Sequence, residues 1–291
     1  MLPGGRTCFV GETRIPVDGF FDAHLGRAEE RGRLMERRDF VGMTTLAAAT
    51  LASGSAVRGE TEGTRQLLEM REYSTLSRGA AQALQEHLQR GLLPALNRLG
   101  LEPIGVFTPL YGSDSATVHL LIPHPSVDSV VTLQARLLDD EQFTQTAGAL
   151  LQPSPEEAVY IRVKSSLMEA FEGVPRLETP ALEPRIFELR RYESHNIKAA
   201  KLKVEMFNEG EIAVFRKTGL TPVFFGQTLI GDRMPNLVYM LTFKDMAERD
   251  AAWDRFRVDP DWKRMSAMEK YSGTVSNISD TILRPADFSQ I

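Results

Sequence analysis

Ile186-Phe187-Glu188-Leu189-Arg190-Arg191-Tyr192 decides how this chain folds. A β-strand turns successive side chains to opposite faces, so Phe187 and Leu189 point one way and Glu188, Arg190 and Tyr192 the other. The same order stands 119 positions earlier, as Leu67-Leu68-Glu69-Met70-Arg71-Glu72-Tyr73. From Leu67 to Pro103 the two copies align without a gap, and ten of the 37 pairs are identical. Six of those ten (Glu69, Arg71, Tyr73, Gly100, Leu101 and Pro103) are strand-face or turn residues, which chance similarity between amphipathic segments does not produce. One folding unit has been duplicated.

Around each strand the pattern predicts βαββαβ. In the first copy Ala81, Leu84, Leu88, Leu92, Ala95, Leu96 and Leu99 form one helical face between Ser77 and Leu99. Gly100 ends that helix as a left-handed cap, and Pro94 inside it predicts a kink about one turn earlier. Strands follow at Ile104–Thr108, Thr117–Ile122 and Tyr160–Leu167. Between them lie a helix over Val127–Leu138 and a short one, capped by Asp139, that includes Phe143. Residues 172–185, with three prolines, read as a linker. In the second copy Asn196 caps a helix carrying Ala200, Val204, Phe207, Val214 and Phe215, closed by Gly219. Leu237–Phe243 is a strand, and the next helix carries Met246, Trp253 and Phe256. Asp259 and Pro260 restart a helix, and Val275–Leu283 closes the sheet. The expected division is an N-terminal segment over residues 1–56, a first domain over 57–176 and a second over 177–291.

A four-stranded sheet with helices on one face leaves its other face bare. Two such sheets placed face to face form a barrel with the helices outside. With Phe187 and Leu189 assigned to the helices, Glu188, Arg190 and Tyr192 are expected in the interior, as are Glu69, Arg71 and Tyr73 of the first copy.

Phe187-Glu-Leu-Arg-x-Tyr192, the long helix to Gly219, the Leu237–Phe243 strand and Asp259-Pro-x-Trp262 together resemble the NIPSNAP domain. The resemblance covers residues 186–284 well and 67–170 more weakly. In the weaker half Asp139-Asp140 replaces the Asp-Pro pair, and Leu133 stands where Trp253 does. It implies an α+β fold: two tandem ferredoxin-like units making a dimeric α+β barrel within one chain. It carries over no catalytic residues. Superfamily relatives include cofactor-free monooxygenases, haem-handling enzymes and small cyclases or isomerases, an analogy of fold alone.

Composition narrows the partners. Of 291 residues 42% are hydrophobic and 25% charged, with a net charge of −5. That balance speaks against nucleic acid or an anionic membrane as the main partner, and no uninterrupted apolar run of about twenty residues is present to span a bilayer. Arg37-Arg38-Asp39-Phe40-Val41 opens a mildly apolar run to Leu51, and Gly54 and Ala56 suit the −3 and −1 positions of a cleavage site. This resembles a twin-arginine export signal cut after Ala56, and implies a periplasmic or extracytoplasmic destination; the alternative is an Ala-rich helix packed on the domain. Residues 1–34 show no periodicity, so translation is expected to begin at Met35. Cleavage would remove Cys8, the single cysteine, and with it all thiol chemistry.

Two readings of the polar strand face stay open. Glu188 and Arg190, like Glu69 and Arg71, form either a buried pair fixing strand register or an acid/base carboxylate beside an anion-binding arginine, with Tyr192 or Tyr73 as donor. His119 is set opposite Tyr239 of the repeat and is a candidate proton carrier or axial haem ligand at the barrel interior; the plainer reading is a strand histidine without such a task. His195 reads as a solvated turn residue. The histidines lack zinc-ligand spacing, so no metal is expected, and no cofactor other than haem enters consideration. No nucleotide-binding or nucleophile motif is present. Three functional classes remain: a small-molecule-binding or interaction module, with ligand or protein partner unidentified and homo-oligomerisation compatible; a small exported enzyme; and a haem-handling protein.

Overall fold

The computed structural model describes residues 65–111, 116–151, 158–183 and 185–291. The expected export signal at Arg37 and Arg38, its cleavage at Ala56 and the expected start at Met35 lie outside them. The alternating stretches are strands as expected, β1 (Leu67–Ser74) and β5 (Ile186–Glu193), each at the centre of its sheet.

In the first half β2 (Gly105–Pro109), β3 (Thr117–His124) and β4 (Arg162–Ala170) join β1 in the order β4-β1-β3-β2. In the second, β6 (Thr221–Ile230), β7 (Asn236–Phe243) and β8 (Asn277–Pro285) join β5 as β8-β5-β7-β6, the same order. β2 pairs with β8 and β4 with β6, all antiparallel, closing an eight-stranded barrel among the described residues. Closure leaves no sheet edge unpaired, which a lone four-stranded unit cannot achieve. The tandem α+β barrel is thus the fold.

The helices repeat as the strands do. Ser77 caps α1 (Arg78–His87), its hydroxyl accepting from the Ala80 amide at 3.2 Å, and Asn196 caps α6 (Ile197–Met206), accepting from Ala199 at 2.9 Å. A π turn follows each (Leu88–Leu92 and Phe207–Glu211), then α2 (Leu93–Arg98) and α7 (Ile212–Thr218). Gly100 and Gly219 then take φ +76° and +86°, the left-handed caps expected of them. The irregularity predicted before Pro94 is this π turn. Pro94 is not its cause, because the second half has Ala213 there and keeps the turn.

α3 (Val127–Leu138), α4 (Glu141–Thr146), α5 (Gly148–Leu151), α8 (Met246–Val258) and α9 (Pro260–Ser266) complete the outer layer. Asp140, not Asp139, caps α4, accepting from the Phe143 amide at 2.8 Å. Asp259 caps α9 with Pro260 in its first turn, as expected.

Three apolar clusters hold this together. Leu84, Leu88, Leu96, Val106, Leu120 and Ile122 lie between the first sheet and its helices. Phe207, Phe215, Phe225, Tyr239 and Phe256 lie between the second sheet and its own. The third fills the barrel from its strands: Leu68, Met70, Phe107, Met168, Phe187, Phe224 and Leu283, with Ile291 added. Phe107 and Phe187 meet there edge to face at 4.9 Å.

The strand faces are therefore reversed from the sequence expectation. Phe187 points into the barrel, while Glu188, Arg190 and Tyr192 point at the helices, as do Glu69, Arg71 and Tyr73. The reason is size: an eight-stranded barrel is just wide enough to be filled by side chains. The packed part of its interior is the apolar core that Phe187 and Met70 need, and the helices supply partners for the polar row.

Candidate functional site

The polar rows form two buried carboxylate clusters. Glu188 is fully buried and receives Arg190 Nη1 at 2.6 Å, Arg249 Nε at 3.0 Å and Nη2 at 2.6 Å, and Trp253 Nε1 at 2.7 Å. The Arg190 guanidinium lies 4.7 Å from the centre of the Trp253 ring. Above it the Tyr239 hydroxyl donates to the Tyr192 hydroxyl at 2.9 Å, and burial pushes both phenols upward, so both are neutral. Trp253 thus joins the apolar face of its helix to the polar row, since its indole N–H meets a carboxylate.

Glu69 is held differently. Arg71 donates Nε at 2.7 Å and Nη2 at 2.9 Å, and the Ser165 hydroxyl donates at 2.6 Å. His124 Nε2 stands 3.3 Å away while its Nδ1 meets the Ser129 hydroxyl at 2.9 Å. Burial pushes this carboxyl upward, but hydrogen bonds from His124 and Arg71 outweigh it and hold it at about 2, against the ordinary 4.5. A carboxyl depressed by folding stabilises above its unfolded pKa, and that stability drains as pH falls toward the folded value. The shift corresponds to about 3 kcal/mol, of which about 2 kcal/mol should be gone by pH 3. Urea unfolding of wild type and Glu69→Gln at pH 7 and pH 3 checks this: the gap between them should shrink on acidification. A constant gap would mean that Glu69 is not the depressed group.

One end of the lumen is polar. Where β1 and β5 finish and β3, β7 and β8 begin, a cavity of about 760 Å³ opens, lined by Glu72, His119, Lys164, Arg191 and Asp280 over a floor of Leu189 and Val238. Register sets Glu72 beside His119 and Lys164, and Arg191 beside Val238 and Ser279. β1 and β5 are opposite strands of the closed barrel, and Arg191 Nη2 approaches Glu72 Oε1 across it to 3.6 Å. At the rim Lys164 stands 4.0 Å from Asp232.

Of the residues singled out from sequence, His119 alone reaches this cavity. Its counterpart in the repeat is Val238, not Tyr239, which faces the helices; a one-residue slip in register moves a side chain to the other face. His195 is exposed, as expected. Glu72 and Arg191 went unremarked in the sequence, although they occupy the same repeat position with opposite charge.

Residues 68–154 and 187–290 both match the NIPSNAP family model, together more than half of the chain. The chain belongs to the NIPSNAP family. Its barrel is similar to a candidate monooxygenase from Lactobacillus acidophilus NCFM, with 11% identity and a TM-score of 0.52 over 76% of this chain and 94% of that one. It is likewise similar to another from Fusobacterium nucleatum, with 8% identity and a TM-score of 0.52 over 77% and 93%. At such identities the likeness is one of fold. An uncharacterised NIPSNAP-like domain protein from Burkholderia xenovorans shares 20% identity over 37% of this chain and 90% of its own, with a TM-score of 0.34. No curated protein matches the chain.

The lining of this NIPSNAP lumen does not suit haem. A porphyrin needs an apolar slot, and around His119 stand Glu72, Lys164, Arg191, Asp280 and several hydroxyls, with apolar surface only at the floor. Among the described residues no group of His, Cys, Asp or Glu is placed to hold a metal ion.

Proposed function

We propose that this NIPSNAP protein is an exported small-molecule-binding protein whose ligand occupies the polar end of the barrel. The observation that carries this reading is the 760 Å³ cavity built by both halves, in the size range of small-molecule sites. Charge at its wall is set against a lumen otherwise packed with Phe, Leu and Met. Native mass spectrometry of the purified chain, offered a small-molecule extract of the cell that makes it, tests the reading. A ligand mass should be retained, and Ser279→Trp, which fills the cavity, should remove it. Retention of the same mass by the filled variant would place the ligand elsewhere, and no retained mass would sink the reading.

The export half rests on Arg37, Arg38 and the cleavage pattern ending at Ala56. Lysine lacks the planar fork of arginine, so an Arg37→Lys/Arg38→Lys precursor should stay uncut in the cytoplasm. Normal processing near Ala56 in that variant would overturn the assignment.

A small enzyme working in the same cavity is the second reading. His119 on the cavity wall beside Glu72 favours it, because an imidazole there is placed to carry a proton to or from a bound molecule.

A further inference from the structure

Glu72 and Arg191 stand at one repeat position, 119 residues apart, on opposite walls of the lumen. In a symmetric dimer of a single unit that position would confront its own copy, like charge against like. A tandem chain frees the two copies to differ, and here they have become an acid and a base. Their contact of 3.6 Å is too long for a hydrogen bond, and the side chains are 27% and 20% exposed. Arg191 Nε is buried and has no hydrogen-bond partner among the described residues. The pair is thus joined by no direct hydrogen bond, and a molecule that offers hydrogen-bonding groups of matching charge to both side chains can replace it.

That molecule needs an anion for the guanidinium and a cation for the carboxylate, held as close together as the two side chains are. An α-amino acid has this form. Its ammonium and carboxylate hang from one carbon through bonds of about 1.5 Å each, so its charges complete a square of alternating sign with Glu72 and Arg191. A dicarboxylate would set its second anion against Glu72, and a long ω-amino acid would carry its ammonium past it.

Resting on the reading of the lumen as a small-molecule site, we propose that the ligand is an α-amino acid. Its carboxylate is held by Arg191, as a guanidinium fork holds carboxylates, and its ammonium by Glu72. Its side chain runs into the remaining volume, where Lys164, Ser279, Asp280 and Thr281 offer polar contacts.

Saturation-transfer NMR on the full chain tests this with the common L-α-amino acids, each beside its carboxamide and its des-amino acid. At least one amino acid should bind at least tenfold tighter than both analogues. Glu72→Gln should weaken it at least tenfold without weakening the des-amino acid, while Arg191→Gln should weaken both. If either variant fails to fold, Glu72→Arg/Arg191→Glu keeps the pair and must still prefer the amino acid. No saturable amino acid, or one bound no better than its analogues, overturns the proposal. If analogues bind equally well but lose binding with Arg191→Gln, the lumen site stands and only the ligand class falls. If neither variant alters the binding of any probe, the probes bind outside the lumen and the underlying reading falls too.

Discussion

Replacing Lys203 by Leu should destabilise the protein by about 3–5 kcal/mol, and adding Glu211→Leu should restore it. Lys203 Nζ donates to Glu211 Oε2 at 2.7 Å across the π turn, with the two residues 4% and 2% exposed. The ammonium also sits 4.7 Å from the Phe207 ring centre and 5.6 Å from those of Tyr192 and Trp262. The first half carries the control: Leu84 and Leu92 fill the same two repeat positions, both buried. A leucine pair therefore already works around this turn, and the double variant should equal or exceed wild type. The single variant has a pH signature as well. Burial pushes the Glu211 carboxyl upward against the pull of Lys203, and without the ammonium it has no partner to keep it ionised. A carboxyl raised by folding keeps its stability below the unfolded pKa and loses it as pH rises, so the Lys203→Leu deficit should be small at pH 4 and large at pH 8. Urea unfolding of the three proteins at both pH values decides. A deficit independent of pH, or a double variant as weak as the single one, would show that Glu211 is not the group left stranded.

The architecture was legible because it depends on patterns that local sequence carries. Alternation at Leu67–Tyr73 and Ile186–Tyr192, the caps at Ser77 and Asn196, and the glycines after each long helix all specify backbone, and the backbone follows them. What alternation cannot say is which face is inside. A strand with Phe187 and Leu189 on one face and Glu188, Arg190 and Tyr192 on the other is equally consistent with either assignment. The deciding information sat outside the two strands themselves. Trp253 and Arg249 on α8 are polar groups awaiting partners on a sheet, and His124, at the end of β3, joins Ser129 of α3 to Glu69. Reading them together with the strands would have turned Glu188 and Glu69 toward the helices. The lumen site was hidden for a related reason. Glu72 and Arg191 break the repeat's identity, and a search for what the copies share passes over the position where they differ. The exchange of charge at an offset of 119 was the available signal.

Replacing Glu188 by Leu should cost about 3–5 kcal/mol, whereas Arg190→Met should cost about 1.5–3 kcal/mol. An isolated pair would behave otherwise, with either single change severe and the double one nearly neutral. Glu188 is not in such a pair. When Arg190 is removed the carboxylate keeps three donors, two from Arg249 and one from Trp253. When Glu188 is removed, both guanidiniums and the indole N–H lose their acceptor together, and Arg249 retains only its contact with Asp250 at the surface. Glu188→Leu/Arg190→Met should therefore stay well below wild type, and stability should recover in part when Arg249→Met is added, the Trp253 N–H still lacking its acceptor. Chemical denaturation of the four variants tests this; a nearly neutral double variant would show that Arg249 is no real partner. The same set separates the two polar layers. Because Glu188 faces the helices and Arg191 the lumen, the Glu188 series should change stability and leave lumen binding intact in whatever remains folded. Glu72→Gln and Arg191→Gln should do the reverse. Loss of lumen binding in a folded Arg190→Met protein would mean that the helix-side cluster and the cavity are coupled through β5, and that the two layers do not have separate tasks.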